Sequence, residues 1–188
     1  MPSYSCVMVE ATAVVRSVQG NAPLIPDSCW LAPFSVVTGD VTFGQQCTIW
    51  YHAVLRGDVG AIRIGNNVNI QDGAIVHSTH GKSTVTLADN VSIGHRAIVH
   101  GCDVGENSLI GMGAIVMDNA VVEANAIVAA GAVVLENTVV PSGTIWAGVP
   151  AKQVKQMDPE VLGKRTALTA EAYVKYKDWY HPPQMPEG

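Results

Sequence analysis

The sequence predicts an all-β fold, a parallel β-helix wound from hexapeptide repeats, and three observations support this prediction. The first is a period of six, since large aliphatic or aromatic residues recur at every sixth position apart from two insertions and one skipped residue. Neither an α-helix nor an alternating strand keeps such a period. The positions in phase are Ile25, Leu31, Val37, Phe43, Ile49, Leu55, Ile64, Ile70, Val76, Leu87, Ile93, Val99, Val104, Ile110, Val116, Val122, Val128, Val134, Val140 and Trp146.

The second observation is that the fourth residue after each large one is usually small, as at Cys29, Ser35, Cys47, Ala53, Ala74, Ala97, Ser108, Ala114, Ala120, Ala126 and Ala132. The third is a composition with 18 glycines and 2 phenylalanines, which suits tight turns around a narrow aliphatic core. In this interpretation each unit is a short strand and a turn, with its large residue inward. Three units close one triangular coil, which predicts about seven coils whose parallel strands lie about 4.8 Å apart.

The repeats divide the chain into an N-terminal segment (residues 1–24), the β-helix (25–151) and a C-terminal helical segment with a tail (152–188). Met157-Asp158-Pro159-Glu160 predicts a helix start, because proline and acidic residues are favoured in the first turn. Residues 169–180 carry aromatic side chains at helical spacing, which predicts an aromatic face laid along the β-helix. We expect the tail from His181 onward to be loose.

Composition excludes several classes of protein. The net charge of −5 offers no basic surface for nucleic acid. The N-terminus has no basic segment followed by an apolar run, and no stretch is long and apolar enough to span a membrane. Because no CxxC spacing is present, we expect reduced cysteines in a cytoplasmic protein; the four are Cys6, Cys29, Cys47 and Cys102.

Three of the six histidines are predicted to form a metal site. Counting by sixes places Arg56, His77 and His100 at the same position on successive coils, one strand spacing apart. Two stacked imidazoles can lean toward one metal ion. His95 falls on another face at a similar height, so a neighbouring copy in a three-fold assembly must supply it. His52 and His181 fit no stack and are expected to be structural or exposed, whereas His80 lies in the inserted loop beside His77.

Polar residues on the same coils interrupt an otherwise apolar repeat. Arg56 and Asp72 are the predicted ion pair, within the chain or across a subunit boundary, because a buried charge needs a partner. Such a pair would be an interface clamp, a support for the metal ligands, or both. Asn69 and Gln71 carry amides that can hold a metal-bound water or a substrate; without a metal they are ordinary turn residues.

These motifs resemble those of the γ-class carbonic anhydrase-like proteins, and most closely the small bacterial branch named hexapeptide-repeat transferase or ferripyochelin-binding protein. The resemblance rests on four segments and covers almost the whole chain. The segments are Arg56-Gly57-Asp58, Asn69-Ile70-Gln71-Asp72-Gly73 with His77, Ile93-Gly94-His95-Arg96, and Val99-His100-Gly101-Cys102. The hexapeptide repeat alone would be less specific, because many acyltransferases share it.

The resemblance implies a left-handed β-helix and a homotrimer with three interfacial metal sites. It implies Zn²⁺, or Fe²⁺ or Co²⁺, held by His77 and His100 of one chain and His95 of the next. Gln71 would orient the bound hydroxide, with Asn69 and Asp58 in its polar surround. A zinc held by three histidines lowers the pKa of its water toward 7, which permits attack on CO₂ to give bicarbonate.

The chain departs from the best-characterised type of this class at its proton shuttle. That type has a glutamate after the Arg-x-Asp motif and an acidic loop after the first histidine, whereas this chain has Val59 and the loop 78–84, which lacks acidic residues. His80 or buffer would therefore export the proton, or CO₂ hydration would be weak. Two alternatives to the carbonic anhydrase hypothesis stay open. One is an acyl-CoA-dependent transferase or thioesterase, and the other is a non-catalytic metal-binding subunit.

Overall fold

The computed structural model of the chain describes residues 11–180. The N-terminal residues with Cys6 and the tail with His181 lie outside this range, so the predictions for them stay untested. The strands are β1 (Val14–Arg16), β2 (Trp30–Leu31), β3 (Val36–Phe43), β4 (Thr48–Ile49), β5 (Val54–Ile64), β6 (Asn69–Ile70), β7 (Ile75–His77), β8 (Val85–Leu87), β9 (Ser92–Ile93), β10 (Ile98–His100), β11 (Asp103–Val104), β12 (Leu109–Ile110), β13 (Ile115–Val116), β14 (Val121–Val122), β15 (Ile127–Val128), β16 (Val133–Val134), β17 (Val139–Val140), β18 (Thr144–Ala147) and β19 (Lys152–Gln156).

The strands stack into two sheets that wrap three faces of a prism. One sheet runs β2, β4, β6, β9, β12, β15, β18 and is parallel until β19 closes it antiparallel. The other sheet covers the two remaining faces, since the long strands β3 and β5 each turn a corner. Beyond β5 it splits into a β7, β10, β13, β16 branch and a β8, β11, β14, β17 branch. This arrangement is the predicted parallel solenoid.

The interior of the prism is a column of the residues that recur every sixth position. Ile49, Ile70, Ile93 and Ile110 follow one another on one face and are fully buried. Full burial of an aliphatic side chain of this size stabilises a fold by about 1.5–3 kcal/mol. The predicted skip of one residue is confirmed, because Val99 pairs with Val116, which is 17 residues away instead of 18.

One corner of the prism is lined by asparagines that the period of six does not single out. Asn67, Asn90, Asn107 and Asn125 all have left-handed backbone, with φ between 54° and 60°. Their amides form a ladder from coil to coil, with Nδ2 to Oδ1 distances of 3.1, 3.0 and 3.2 Å. Asparagine tolerates this backbone better than other residues with a Cβ, so it can turn each corner.

Strands lie on both sides of the segment 25–151 that carries the period of six. Strand β1 pairs in parallel with β3, Val14 opposite Val36, so one more rung lies in the N-terminal segment. At the other end, β19 folds back on β18, in the segment where the period has stopped. Within residues 11–180 no helix is long and apolar enough to cross a bilayer.

The helix α1 (Pro159–Tyr176) runs from the last coil back to the first. It begins at the predicted place, where the Asp158 carboxylate caps the amides of the first turn and proline is the first helical residue. Thr166 donates a hydrogen bond to the carbonyl of Asn107, halfway along the ladder. A 3₁₀ turn (Lys177–Tyr180) follows, and Nζ of Lys177 donates to the carbonyl of Ser28 at 2.9 Å.

The predicted aromatic face packs on the first coils. Tyr173 meets Trp50 edge to face with ring centroids 5.2 Å apart, and Tyr180 lies 5.5 Å from the same ring. Trp179 is the exception, because it lies against Tyr176 with ring centroids 4.6 Å apart and is 74% exposed.

Candidate metal centre

His77 and His100 occupy the same position on adjacent coils. Strands β7 and β10 end at these residues, and the parallel ladder pairs them directly. Val76 and Val99, one position earlier, are fully buried, so alternation along each strand turns both imidazoles outward. Nδ1 of His77 lies 3.3 Å from Nε2 of His100. The two side chains therefore stack as the count by sixes predicts.

Each of these imidazoles has a carboxylate beside its other ring nitrogen. Nε2 of His77 lies 3.1 Å from Oδ1 of Asp58, and Nδ1 of His100 lies 3.2 Å from Oδ1 of Asp118. Histidines that bind metals usually have such a partner, because it fixes the ring orientation and increases the basicity of the ligand nitrogen. The pair therefore has the supporting contacts of metal ligands.

Arg56 contacts Asp58, and the predicted pair with Asp72 is not formed within the chain. Nη1 of Arg56 donates to Oδ2 of Asp58 at 2.5 Å, and Nη2 lies 3.4 Å from Nδ1 of His77. Asp72 follows a strand of the other sheet and contacts Nδ1 of His95 at 2.8 Å. The side chains of Arg56 and Asp72 are also 47% and 42% exposed, so in the single chain neither is a buried charge. A contact between them across a subunit boundary stays a prediction.

The local charges favour a neutral imidazole beside an ionised carboxylate. Burial acts to raise the pKa of Asp58, but hydrogen bonds from Arg56 and His77 outweigh it and hold that pKa below its usual value. Burial, and then the charge of Arg56, lowers the pKa of His77. A metal binds the neutral form of histidine, so this environment suits a ligand near pH 7.

Asp118 is a member of the site that the sequence did not reveal. Its carboxylate is 6% exposed and accepts hydrogen bonds from Thr79 Oγ1 at 2.9 Å and from Ser83 Oγ, in addition to its contact with His100. Burial acts to raise the pKa of Asp118, but the two hydroxyl bonds outweigh it and lower that pKa. The ladder ends with Val116 opposite Val99, and Asp118 lies in the turn that follows, so a count of inward positions does not single it out.

Gln71 and Asn69 form a chain of hydrogen bonds that positions the backbone of His95. Oε1 of Gln71 accepts the backbone amide of His95 at 3.2 Å, and Nε2 of Gln71 donates to Oδ1 of Asn69 at 2.9 Å. Asn69 in turn donates to Ser92 Oγ at 2.7 Å. Gln71 is 5% and Asn69 1% exposed, so in the single chain the Asn69 amide is shielded from a bound water or substrate.

His80 lies on the inserted loop, at the rim of a polar cavity of about 230 Å³ that Asp58 and Val59 also line. The side chain is exposed, so it faces both solvent and the cavity that borders Asp58. His52 is likewise exposed and stacks on Phe34 with ring centroids 5.5 Å apart, as expected of a structural residue.

Two cavities meet at His95. An apolar groove of about 400 Å³ lies between α1 and the first sheet described, with Leu109, Met112 and Ile127 in its wall and Gln71 at its polar end. An aromatic pocket of about 220 Å³ lies on the other side, lined by Trp50, Tyr51, Asp72, Tyr173, Tyr176, Trp179 and Tyr180. His95 therefore stands at an opening that a small molecule or a neighbouring chain can reach.

The donor set fits part of a metal site. Two ligands on one tetrahedral ion are about 3.3–3.4 Å apart when the bonds are about 2.0–2.1 Å long. The 3.3 Å between the nitrogens of His77 and His100 matches this separation. Within residues 11–180 of one chain, however, no three His, Cys, Asp or Glu side chains are gathered to hold a metal. The expectation that His95 of a neighbouring copy supplies the third ligand stays a prediction.

Comparisons with known proteins agree with the fold. Residues 101–136 match the family described as bacterial transferase hexapeptide (six repeats). The chain is 41% identical to a carbonic anhydrase from Geobacillus kaustophilus, over 89% of this chain and 91% of the relative. It is 44% identical to mitochondrial gamma carbonic anhydrase 2 from Arabidopsis thaliana over 79% of this chain, but it spans only 55% of that protein.

Among solved structures, a hexapeptide transferase family protein from Anaplasma phagocytophilum superposes with a TM-score of 0.83 at 37% identity, covering 89% of this chain and 98% of that one. The fold thus defines the chain as a parallel β-solenoid of the hexapeptide-repeat class. Within this class, the relatives at 41% and 44% identity are named as carbonic anhydrases. The chain therefore belongs to the γ-class carbonic anhydrase-like family.

Proposed function

We propose that this protein is a γ-carbonic anhydrase-like metalloenzyme that interconverts CO₂ and bicarbonate at sites between the subunits of a left-handed β-helical homotrimer. His77 and His100 of one chain and His95 of the next would hold the metal, with Zn²⁺ preferred over Fe²⁺ or Co²⁺. The observation that carries the proposal is the pair of facing imidazole nitrogens 3.3 Å apart, each ring supported by a carboxylate. A divalent metal held by three histidines lowers the pKa of coordinated water toward neutrality.

The surrounding residues would orient the ligands and move the proton. Asp58, held by Arg56, and Asp118 fix the two stacked imidazoles, while Gln71 fixes the backbone that carries His95. His80 would accept the product proton at the rim of the cavity that borders Asp58 and pass it to solvent. An exposed imidazole suits this task because its usual pKa lies near neutrality.

The shared site can be tested by mixing inactive variants. His77→Ala and His95→Ala should each abolish bound metal and CO₂ hydration. In a randomly mixed trimer of the two, one chain supplies His77 and its neighbour supplies His95, so about one quarter of the sites are intact. Mixing His77→Ala with His100→Ala is the matched control, because no chain then carries both stacked ligands and no site is restored.

Metal content by mass spectrometry and CO₂ hydration rates by stopped flow measure the outcome. Recovery of about one quarter of both signals in the first mixture, and none in the control, is the expected result. Equal recovery in the two mixtures, or full activity of His95→Ala, would refute a site shared in this way. A trimer that binds metal but hydrates no CO₂ would instead favour the non-catalytic metal-binding alternative.

A second candidate function, an acyl-CoA-dependent transferase or thioesterase, is favoured by one observation. The groove of about 400 Å³ beside Gln71 and His95 has an apolar wall that an acyl chain would contact. Turnover of acyl-CoA thioesters by metal-free protein would support this candidate. Metal-dependent CO₂ hydration without thioester turnover would exclude it.

A further inference from the structure

Two cysteines far from the metal centre lie one above the other. Cys29 and Cys47 are 18 residues apart, one full coil, and each directly precedes a strand of the same sheet. The ladder pairs Trp30 with Thr48, and the amide of Trp30 donates to the carbonyl of Cys47 at 2.9 Å. Neighbouring parallel strands lie about 4.7–4.9 Å apart, within the Cα separation of about 4.4–6.8 Å that a disulfide spans.

The two thiols also share a neighbouring carbonyl group. Sγ of Cys29 lies 3.2 Å from the carbonyl oxygen of Gly44, and Sγ of Cys47 lies 3.8 Å from the same oxygen and 3.1 Å from the carbonyl oxygen of Gly65. Both thiols are free in this structure. Cys29 is partly exposed whereas Cys47 is fully buried on the next coil, so Cys29 is the more accessible of the two residues. Cys102 is buried elsewhere, 1% exposed.

The three thiols have different surroundings, which shift their pKa values in different directions. A hydrogen bond from Cys47 is the main cause that lowers the pKa of Cys29 to about 7, and Lys177 assists with its charge. The same contact with Cys29, followed by burial, raises the pKa of Cys47. Burial raises the pKa of Cys102 as well. A thiol with a pKa near ambient pH is the best attacking nucleophile, so Cys29 should react first.

We propose that Cys29 and Cys47 form a reversible disulfide when the protein meets a peroxide. The Cys29 thiolate attacks one peroxide oxygen, the O–O bond breaks, and a sulfenic acid forms as the other oxygen leaves as water. The Cys47 sulfur then attacks the Cys29 sulfur, the S–O bond breaks, and the hydroxyl leaves as a second water with the Cys47 proton. Two thiols and one peroxide thus give one disulfide and two waters.

Peptide mapping of the intact wild-type protein tests the proposal. After treatment with hydrogen peroxide, free thiols are alkylated in denaturant and the chain is cut before aspartate. This cleavage places Cys29 in peptide 27–39, Cys47 in peptide 40–57 and Cys102 in peptide 89–102. The expected product is a cross-link between the first two peptides, 2 Da lighter than their sum and reversed by dithiothreitol, while peptide 89–102 is alkylated in full.

Two variants and a melting curve complete the design. Cys47→Ala should leave Cys29 as a sulfenic or sulfinic acid with no cross-link, and Cys102→Ala should leave the cross-link unchanged. The bond closes a loop of about 18 residues, so Tm should rise by about 8 °C on oxidation of the wild type and of Cys102→Ala, but not of Cys47→Ala. Separate alkylation of peptides 27–39 and 40–57 after peroxide treatment, or cross-linking of Cys102 at a similar rate, would overturn the proposal.

Discussion

Removal of the Asp118 carboxylate should weaken both the fold and metal binding. The side chain is 6% exposed and contacts His100, Thr79 and Ser83. A hydrogen bond to a charged group contributes about 1.5–3 kcal/mol, but the two hydroxyls can rotate to new acceptors and water can enter. We therefore expect Asp118→Ala to lower the free energy of unfolding by about 2–4 kcal/mol, less than the sum of three such bonds.

The same change should reduce metal affinity by about 10–100-fold, the usual loss when the partner of a ligand histidine is removed. Chelator competition measures this affinity, urea unfolding measures stability, and hydrogen exchange at residues 79–84 reports on the loop that Asp118 anchors. Asp103→Ala, an exposed aspartate one coil away, is the matched control. If Asp118→Ala matched Asp103→Ala in metal affinity and in loop exchange, the positioning role of Asp118 would be refuted.

Three smaller perturbations test the scaffold by urea unfolding. Gly111→Ala should lower the free energy of unfolding by about 3 kcal/mol, because the added Cβ would lie 2.5 Å from the backbone of the next coil. Gly113→Ala should lower it by about 1 kcal/mol, because the space around Gly113 is open and only its backbone, at φ +66°, is unfavourable for alanine. Equal losses of stability in the two variants would contradict the packing argument. Asp158→Ala should cost about 1 kcal/mol through the lost helix cap, and an unchanged midpoint would count against it. Hydrogen bonds from Arg63 lower the pKa of Asp40, so this exposed ion pair should stabilise the fold at pH values above 3.8, by less than about 1 kcal/mol. The stabilisation should disappear as the pH falls and Asp40 becomes protonated. A difference in stability between the wild type and Asp40→Asn that increases in acid would contradict this prediction.

The solenoid could be predicted because its repeat lies within a few residues of the chain and can be found without knowing distant contacts. Each inward position repeats on the next coil, so a period of six in the chain becomes a column of buried side chains, as at Ile49, Ile70 and Ile93. The same rule stacks His77 on His100, since both are the residue after an inward valine. The asparagine ladder also stacks from coil to coil, but the sequence pattern did not predict it. Its residues lie at the corners of the prism, whereas the pattern concerned the inward-pointing positions.

The remaining parts of the candidate site depend on geometry that the rule does not contain. Asp118 contacts His100 from the turn that follows β13, beyond the end of the ladder. Arg56 finds a nearer carboxylate in Asp58, whereas Asp72 lies on another face of the prism. Periodicity locates strands, but it does not say where a long side chain at a corner will turn.

The first coils are held by residues that are synthesised long after them. Each coil contacts only its neighbours, so the rungs can pair one after another during synthesis. Lys177 meets Ser28 only when 149 further residues have been made. Once α1 has returned along the prism, loosening either end must also detach the helix, and a stack that would otherwise fray rung by rung becomes a single cooperative unit.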